Sequence, residues 1–181
     1  MRIVAGSCKG ARISAPRGLD TRPTGDRVRE AAFSLIGPVA GASVLDLFAG
    51  SGAMGLEAMS RGASRAVFVE SDRDACRTIQ RNLEKLRLTG AAVLCQDALR
   101  ALAAEAAAAR QYDLVLADPP YGLFRTVQTP LATYLPAVLA PDGLVVVETG
   151  ARDEPELGPL EQRTSRRYGS ARITLFEHGV G

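Results

Sequence analysis

Histidine occurs once in these 181 residues, as His178, and tryptophan not at all. A single imidazole leaves no basis for a histidine-rich metal cluster or for a mechanism that passes protons between several histidines. The three cysteines, Cys8, Cys76 and Cys95, form no Cys-x-x-Cys pair. Neither a disulfide framework nor a zinc site is expected, and a reducing compartment fits. No apolar run approaches the roughly 18 residues of a membrane span. The opening MRIVAGSCKG loosely resembles a lipoprotein cleavage box, but it lacks the apolar stretch of about 7–15 residues that a leader needs. The expectation is a cytoplasmic protein, a monomer, with no metal and no membrane partner.

What is present is ordinary in amount and uneven in placement. Apolar residues make up 46% and charged residues 23%, which are the proportions of a soluble globular domain. The length allows one sizeable core with a small appendage. Net charge is only +2, yet residues 1–29 carry +5 and the remainder −3. A basic arm on a mildly acidic body fits a polyanionic partner, and it also fits a solvated terminal arm. Charge alone leaves both readings open.

Two short strand-like runs, residues 2–5 and 11–14, flank a glycine-containing loop and predict a terminal hairpin. Asp26 is placed to cap a helix in which Val28, Ala31, Ala32 and Leu35 recur at helical spacing, and Gly37-Pro38 stops it. From Ala42 onward, strands alternate with helices. Strands are expected at residues 43–48, 66–70, 91–95, 112–117 and 143–148. Helices are expected up to Met59, after a Ser71 cap with Ala75, Ile79, Leu83 and Leu86 on one face, over 98–109 and over 127–139. Residues 161–168 and 172–177 read as a closing hairpin. This order predicts an α/β fold: a mostly parallel, seven-stranded, Rossmann-like sheet with a C-terminal antiparallel hairpin and a small N-terminal β-hairpin extension. Residues 1–25 form the hairpin and basic arm, and residues 26–181 the main domain. Ligands of such sheets bind beyond the carboxyl ends of the strands.

At that end stands LDLFAGSGAMG, with Gly50, Gly52 and Gly55 in G-x-G-x-x-G spacing between a strand and a helix. Glu70 follows Gly50 by 20 residues, at the end of the next strand. A carboxylate there can accept from both hydroxyls of a ribose. The pair points to an adenosine-containing cofactor. A dinucleotide would bring its pyrophosphate close to the Asp46 carboxylate, which is unfavourable. S-adenosyl-L-methionine has no phosphate and carries a sulfonium and an ammonium, both of which an acidic neighbour favours. Asp46 to Gly52, read D-x-F-x-G-x-G, resembles the first motif of Rossmann-like (class I) S-adenosylmethionine-dependent methyltransferases. The resemblance implies a cofactor site of Asp46, Phe48, Ala49, Gly50, Ser51, Gly52, Glu70, Ser71, Asp97 and Ala98. Asp97 would meet the adenine amino group, and as a residue just before a helix it also reads as an N-cap.

The run LVLADPPYG ends a strand in a carboxylate, two prolines and a ring. Asp118-Pro119-Pro120-Tyr121 resembles the motif of methyltransferases that act on exocyclic amino nitrogens. Such a nitrogen is a poor nucleophile because its lone pair is delocalised into the ring. Two acceptors on its N–H groups draw it toward pyramidal geometry. The Asp118 carboxylate is one and the Pro119 carbonyl the natural second. Pro119 and Pro120 fix their own φ and push the preceding residues toward extended backbone, so little reorganisation is needed. Tyr121 is placed to stack on the target base. Stacking returns about 1–3 kcal/mol, comparable with the few kcal/mol that extruding a base costs.

The motif alone does not choose among adenine N6, guanine N2 and glutamine amides. The stretch RPTGDRVRE, Arg22 to Glu30, together with the N-terminal hairpin, LDLFAGSG, FVESD and ADPPY in that order, closely resembles the RsmD family of small-subunit rRNA methyltransferases. That resemblance implies transfer of a methyl group from S-adenosyl-L-methionine to N2 of a guanine in 16S rRNA, guanine 966 in the family, on the small ribosomal subunit. Thr24 then borders the methionine end of the cofactor, and Arg22, Arg27 and Arg29 suit RNA phosphates. Any one of these arginines fits an internal pair with Asp26 or Glu30 equally well. An adenine-N6 methyltransferase of nucleic acid is the alternative. A dehydrogenase and a non-catalytic assembly factor are rivals of other classes.

Overall fold

The computed structural model describes residues 1–16 and 25–179. Its element order is α1 (Gly25–Ile36), β1 (Ser43–Leu47), α2 (Ala53–Ser60), β2 (Arg65–Glu70), α3 (Arg73–Leu86), β3 (Ala91–Cys95), α4 (Ala98–Ala107), β4 (Tyr112–Ala117), α5 (Phe124–Val138), β5 (Leu139–Gly150), β6 (Glu161–Tyr168) and β7 (Ala171–Glu177). The seven strands form one sheet in the order β3-β2-β1-β4-β5-β7-β6. The first five are parallel, and β7 and β6 close the edge antiparallel. Strand order reverses between β1 and β4, which pair directly. Helices leave these two strands in opposite directions and open a crevice above their carboxyl ends.

The two-residue period of the strands splits the core between the sheet's faces. Val44, Leu114, Leu116 and Val146 pack with Phe33, Leu56 and Ile79 of α1, α2 and α3. Leu45, Leu47, Val115, Val145 and Val147 pack with Leu102, Leu131 and Leu135 of α4 and α5. Burying each such side chain contributes roughly 1.5–3 kcal/mol. Both faces of the central strands are covered, so β1 and β4 are buried along nearly their whole length. No described helix is long and apolar enough to cross a membrane.

The N-terminal segment folds back on itself. Ile3 N–H donates to Ala11 O (2.9 Å) and Gly10 N–H to Ile3 O (2.8 Å). The pairing amounts to one bridge, Arg2 with Arg12, and not two full strands. The segment is held instead by its buried Ile3 and Ile13, which join the α1–α3 side of the core.

Three local expectations are corrected. Asp72, not Ser71, caps α3: its side chain accepts from Ala75 N–H at 2.8 Å. Asp26 does not cap α1 but sits in its first turn, paired with Arg29 one turn on. β5 starts at Leu139, four residues before the expected Gly143, and absorbs residues 140–143 as an irregularity opposite Tyr112–Leu114. A Cβ on Gly143 would stand 2.7 Å from Leu139 Cδ1 and 3.0 Å from Tyr112 O, so the turn-like Pro-Asp-Gly is forced into the ladder by close backbone approach.

Candidate functional site

Each of the five parallel strands delivers a carboxylate at or just beyond its carboxyl end: Asp46 from β1, Glu70 from β2, Asp97 after β3, Asp118 after β4 and Glu148 from β5. All five line one cavity of about 610 Å³, a volume suited to a cofactor-sized ligand. Among the described residues, the only lysine or arginine on its wall is Arg29. Despite the crowd of acids, no described group of three or more Asp, Glu, His or Cys side chains could hold a metal ion.

Hydrogen bonds into the interior shape the bend between β1 and α2. Gly50 N–H donates to Glu70 Oε2 at 2.7 Å, and Glu70 Oε1 accepts from Asp72 N–H at 2.9 Å. Glu70 therefore ties the glycine bend to the start of α3 while facing the cavity. Gly52 N–H returns to Ala49 O at 2.7 Å. Gly50 and Gly52 take φ of 57° and 78°, which glycine adopts without steric cost. Phe48 holds φ of 58° despite its side chain. Such strain persists where the surroundings over-determine the backbone, often around a ligand. Gly55 serves packing: a Cβ there would sit 2.3 Å from Phe68 Cε1 and 2.9 Å from Asp46 Oδ2.

Asp46 is 3% exposed and accepts from Gly55 N–H at 2.9 Å. Burial pushes its carboxyl well above the usual carboxylate range; the Gly55 bond opposes this, and the nearby Asp118 and Glu70 charges add to it. An acid so placed is relieved by a cation and repelled by an anion.

The β4 corner points the other way. Asp118 and Pro120 are exposed and line the cavity, while Pro119 is buried. Leu123 N–H donates to Pro120 O at 3.0 Å, and Gly122 has φ of 80°. The segment 120–123 is thus a four-residue turn with glycine in its left-handed position. Its tip is Tyr121, 50% exposed, whose ring edge lies 3.8 Å from where a Cβ of Gly150 would stand.

The cavity wall includes Asp46, Phe48, Ala49, Gly50, Ser51, Glu70, Ser71, Asp97, Ala98, Asp118 and Pro120 of the expected residues. Gly52, Pro119 and Tyr121 are not part of that wall. Asp97 caps α4 by accepting from Arg100 N–H at 2.9 Å. Thr24 and Arg22 lie outside the described residues. Arg27 is exposed on α1. Arg29 is not: it is 3% exposed, its Nε donates to Glu57 at 3.3 Å, and another nitrogen reaches Asp26 at 2.8 Å and the Arg2 carbonyl. The expected phosphate role of Arg29 is corrected accordingly, because its guanidinium is spent inside the protein. Glu57, itself fully buried, also accepts from Val4 and Ala5 N–H at 2.9 Å each, so this cluster docks the N-terminal segment on α2.

Sequence reasoning missed Glu148, Asp72, Met54 and Leu123 on the wall. The signal for Glu148 was available: VVVE repeats the pattern of an apolar strand ending in a carboxylate already seen at Glu70 and Asp118. Leu123, 41% exposed, had no signal beyond its place after the corner.

Comparison with known proteins gives concordant results. The family model described as Conserved hypothetical protein 95 matches residues 1–177. YlbH of Bacillus subtilis, named as a candidate rRNA methyltransferase, is 39% identical over 183 residues, spanning 98% of each chain. Ribosomal RNA small subunit methyltransferase D of Escherichia coli is 39% identical over 122 residues, which span 67% of this chain and 60% of that protein. The solved structure of yhhF from Escherichia coli, named as a candidate methyltransferase, superposes with a TM-score of 0.84 at 33% identity and covers 98% of this chain and 97% of its own.

Proposed function

Since the chain belongs to the RsmD family, we propose that it is an S-adenosyl-L-methionine-dependent rRNA methyltransferase. Its target is the exocyclic N2 of a guanine in 16S rRNA on the small ribosomal subunit. It works as a cytoplasmic monomer. One observation carries the reading: the outward Asp118 corner and the inward glycine bend open onto the same carboxylate-ringed cavity.

Bound in that cavity, S-adenosylmethionine supplies an electrophilic methyl on a sulfonium. The residues present fit it by charge. Asp46 is a buried acid whose carboxyl is pushed above the usual carboxylate range by burial; a cationic ligand stabilises its ionised form. Glu70 keeps acceptor capacity beyond its two backbone bonds, since an ionised carboxylate offers about four lone-pair sites. It accepts from the ribose hydroxyls. Asp97 combines its capping bond with an acceptor for the adenine amino group.

Asp118 accepts an N–H of the guanine amino group, and with the Pro119 carbonyl it aims the nitrogen lone pair toward the methyl. The two prolines hold these acceptors ready before the base arrives. Tyr121, projected by its turn, stacks on the extruded base. No strong general base is required, because the methylated ammonium loses its proton readily. Arg27 and Arg22 contact RNA phosphates.

The test is methyl transfer from tritiated S-adenosylmethionine to small subunits from cells lacking the protein. One methyl group on guanine N2 is expected, and Asp118→Ala should fail to deliver it. Label on adenine N6 or on protein, or no detectable binding of S-adenosylmethionine by calorimetry, would overturn the assignment.

A further inference from the structure

The outer face of α3 carries a row of cations that the site above does not use. Arg73, Arg77, Arg81 and Lys85 are all exposed and recur every four residues. Four residues advance a helix by about 6 Å and rotate it about 40° past a full turn, so the four heads form one gently wrapping row. Two acids share the face, Asp74 and Glu84. Arg77 pairs with Asp74 one turn back, and Arg81 donates to the Thr78 hydroxyl at 3.1 Å, which fixes the direction of both guanidinium groups. Across the sheet, α4 and α5 have one arginine each, Arg100 and Arg125.

The row continues beyond the helix. Lys85 Nζ donates to Arg12 O at 2.7 Å. The buried Asn82 accepts from Ser14 N–H at 2.9 Å and donates to Ser14 O at 3.0 Å. These bonds lay the N-terminal segment along the C-terminal half of α3, so the exposed Lys9 and Arg12 extend the helix row. The other end of the row starts at Arg73, next to Asp72 and Asp74 on the cavity rim. The positive strip thus begins at the mouth of a negative cavity and leads away from it.

We propose that this row, from Arg73 through Arg77, Arg81 and Lys85 to Arg12 and Lys9, is a track for the RNA phosphate backbone. The partner chemistry follows from charge. A flexible polyanion gains from several evenly spaced, solvent-facing cations, and each phosphate neutralised releases counterions. The acidic cavity repels that same backbone, so RNA is admitted there only as an extruded base. The track supplies affinity and register without reading sequence. The inference rests on the proposed RNA substrate, and it adds a surface on α3 to Arg27 of α1.

The double variant R77Q/R81Q tests it. Binding of small subunits by the full chain is measured as a function of potassium chloride, beside methyl transfer and S-adenosylmethionine affinity. The expected result is weaker subunit binding with a salt slope shallower by about 1.5, at roughly 0.7–0.9 for each phosphate no longer neutralised. Cofactor affinity and turnover at saturating subunits stay unchanged. The control R100Q, on the α4 side of the sheet, should keep the original slope. Should the double variant melt early, the single R81Q, with an expected slope change of about 0.7–0.9, serves instead. Wild-type affinity and slope in the α3 variants would overturn the track. A wild-type protein that neither binds nor methylates subunits would instead overturn the proposed function.

Discussion

The bend after β1 and the corner after β4 stand side by side at the carboxyl end of the sheet, and they are held by different means. The bend is held from inside. Its backbone N–H groups go to Glu70, Ala49 and, at the start of α2, Asp46, and its glycines leave no room for a side chain at position 55. The corner is held by its own covalent stiffness. Two prolines and one glycine turn set its course, and Asp118 and Tyr121 are exposed on it. A cofactor site that must present fixed acceptors to a small cation is embedded in the core. The corner, proposed to receive the base, projects from it. Changes at the bend should therefore register in stability and cofactor affinity, and changes at the corner in turnover and RNA use.

Asp118→Ala probes the corner most sharply. It should lower turnover about 10²–10³-fold, as expected for loss of one preorganised partner of the transition state. S-adenosylmethionine affinity by calorimetry should be preserved. A loss of cofactor binding equal to the loss of rate would erase the distinction between the two loops. Tyr121→Ala should lower kcat/KM for subunits by about 5- to 150-fold, the worth of 1–3 kcal/mol of stacking, while Tyr121→Phe stays near wild type. Equal defects in both variants would place the contribution in the hydroxyl and not in the ring face.

At the bend, Gly55→Ala should cost about 1–3 kcal/mol of stability by overpacking against Phe68. For a chain of this size that lowers the melting temperature by roughly 3–10 °C. The smallest effect is pH-dependent. Because the folded-state pKa of Asp46 is raised above 3.8, the fold binds a proton that the unfolded chain releases. Its contribution to stability is full below the unfolded value and is lost as pH rises through the folded one. Asp46→Asn should flatten that slope in ligand-free melts. In the wild type, affinity for S-adenosylmethionine should rise with pH across the same window, and the variant should lose this rise. A variant with the wild-type pH profile would remove Asp46 from the account.

Much of this was legible in the linear chain because the relevant signals are local. The strand-to-helix alternation, the glycine bend, Glu70 at its strand end and the proline corner each lie within a few residues of one another. Parallel order at the carboxyl ends follows from alternation alone. The roles of the arginines were not legible. Arg27 and Arg29 look equivalent in sequence, two residues apart on one helix. Their 200° separation around the helix axis sends one to solvent and the other into contact with Glu57, which is 28 residues away along the chain. Ser71 and Asp72 likewise compete for one cap, and the winner depends on how Glu70 holds the backbone of Asp72.

Residue identity and spacing were sufficient for the kind of chemistry: a glycine turn can adopt left-handed φ, and proline stiffens its own corner, wherever the chain goes. Folding alone determined which charges face outward and which are spent inside. That outcome depends on pairs of residues far apart in the chain, whose mutual distance is unknown until the sheet closes. Arg27 and the buried Arg29 differ in that respect and in nothing the bare sequence displays.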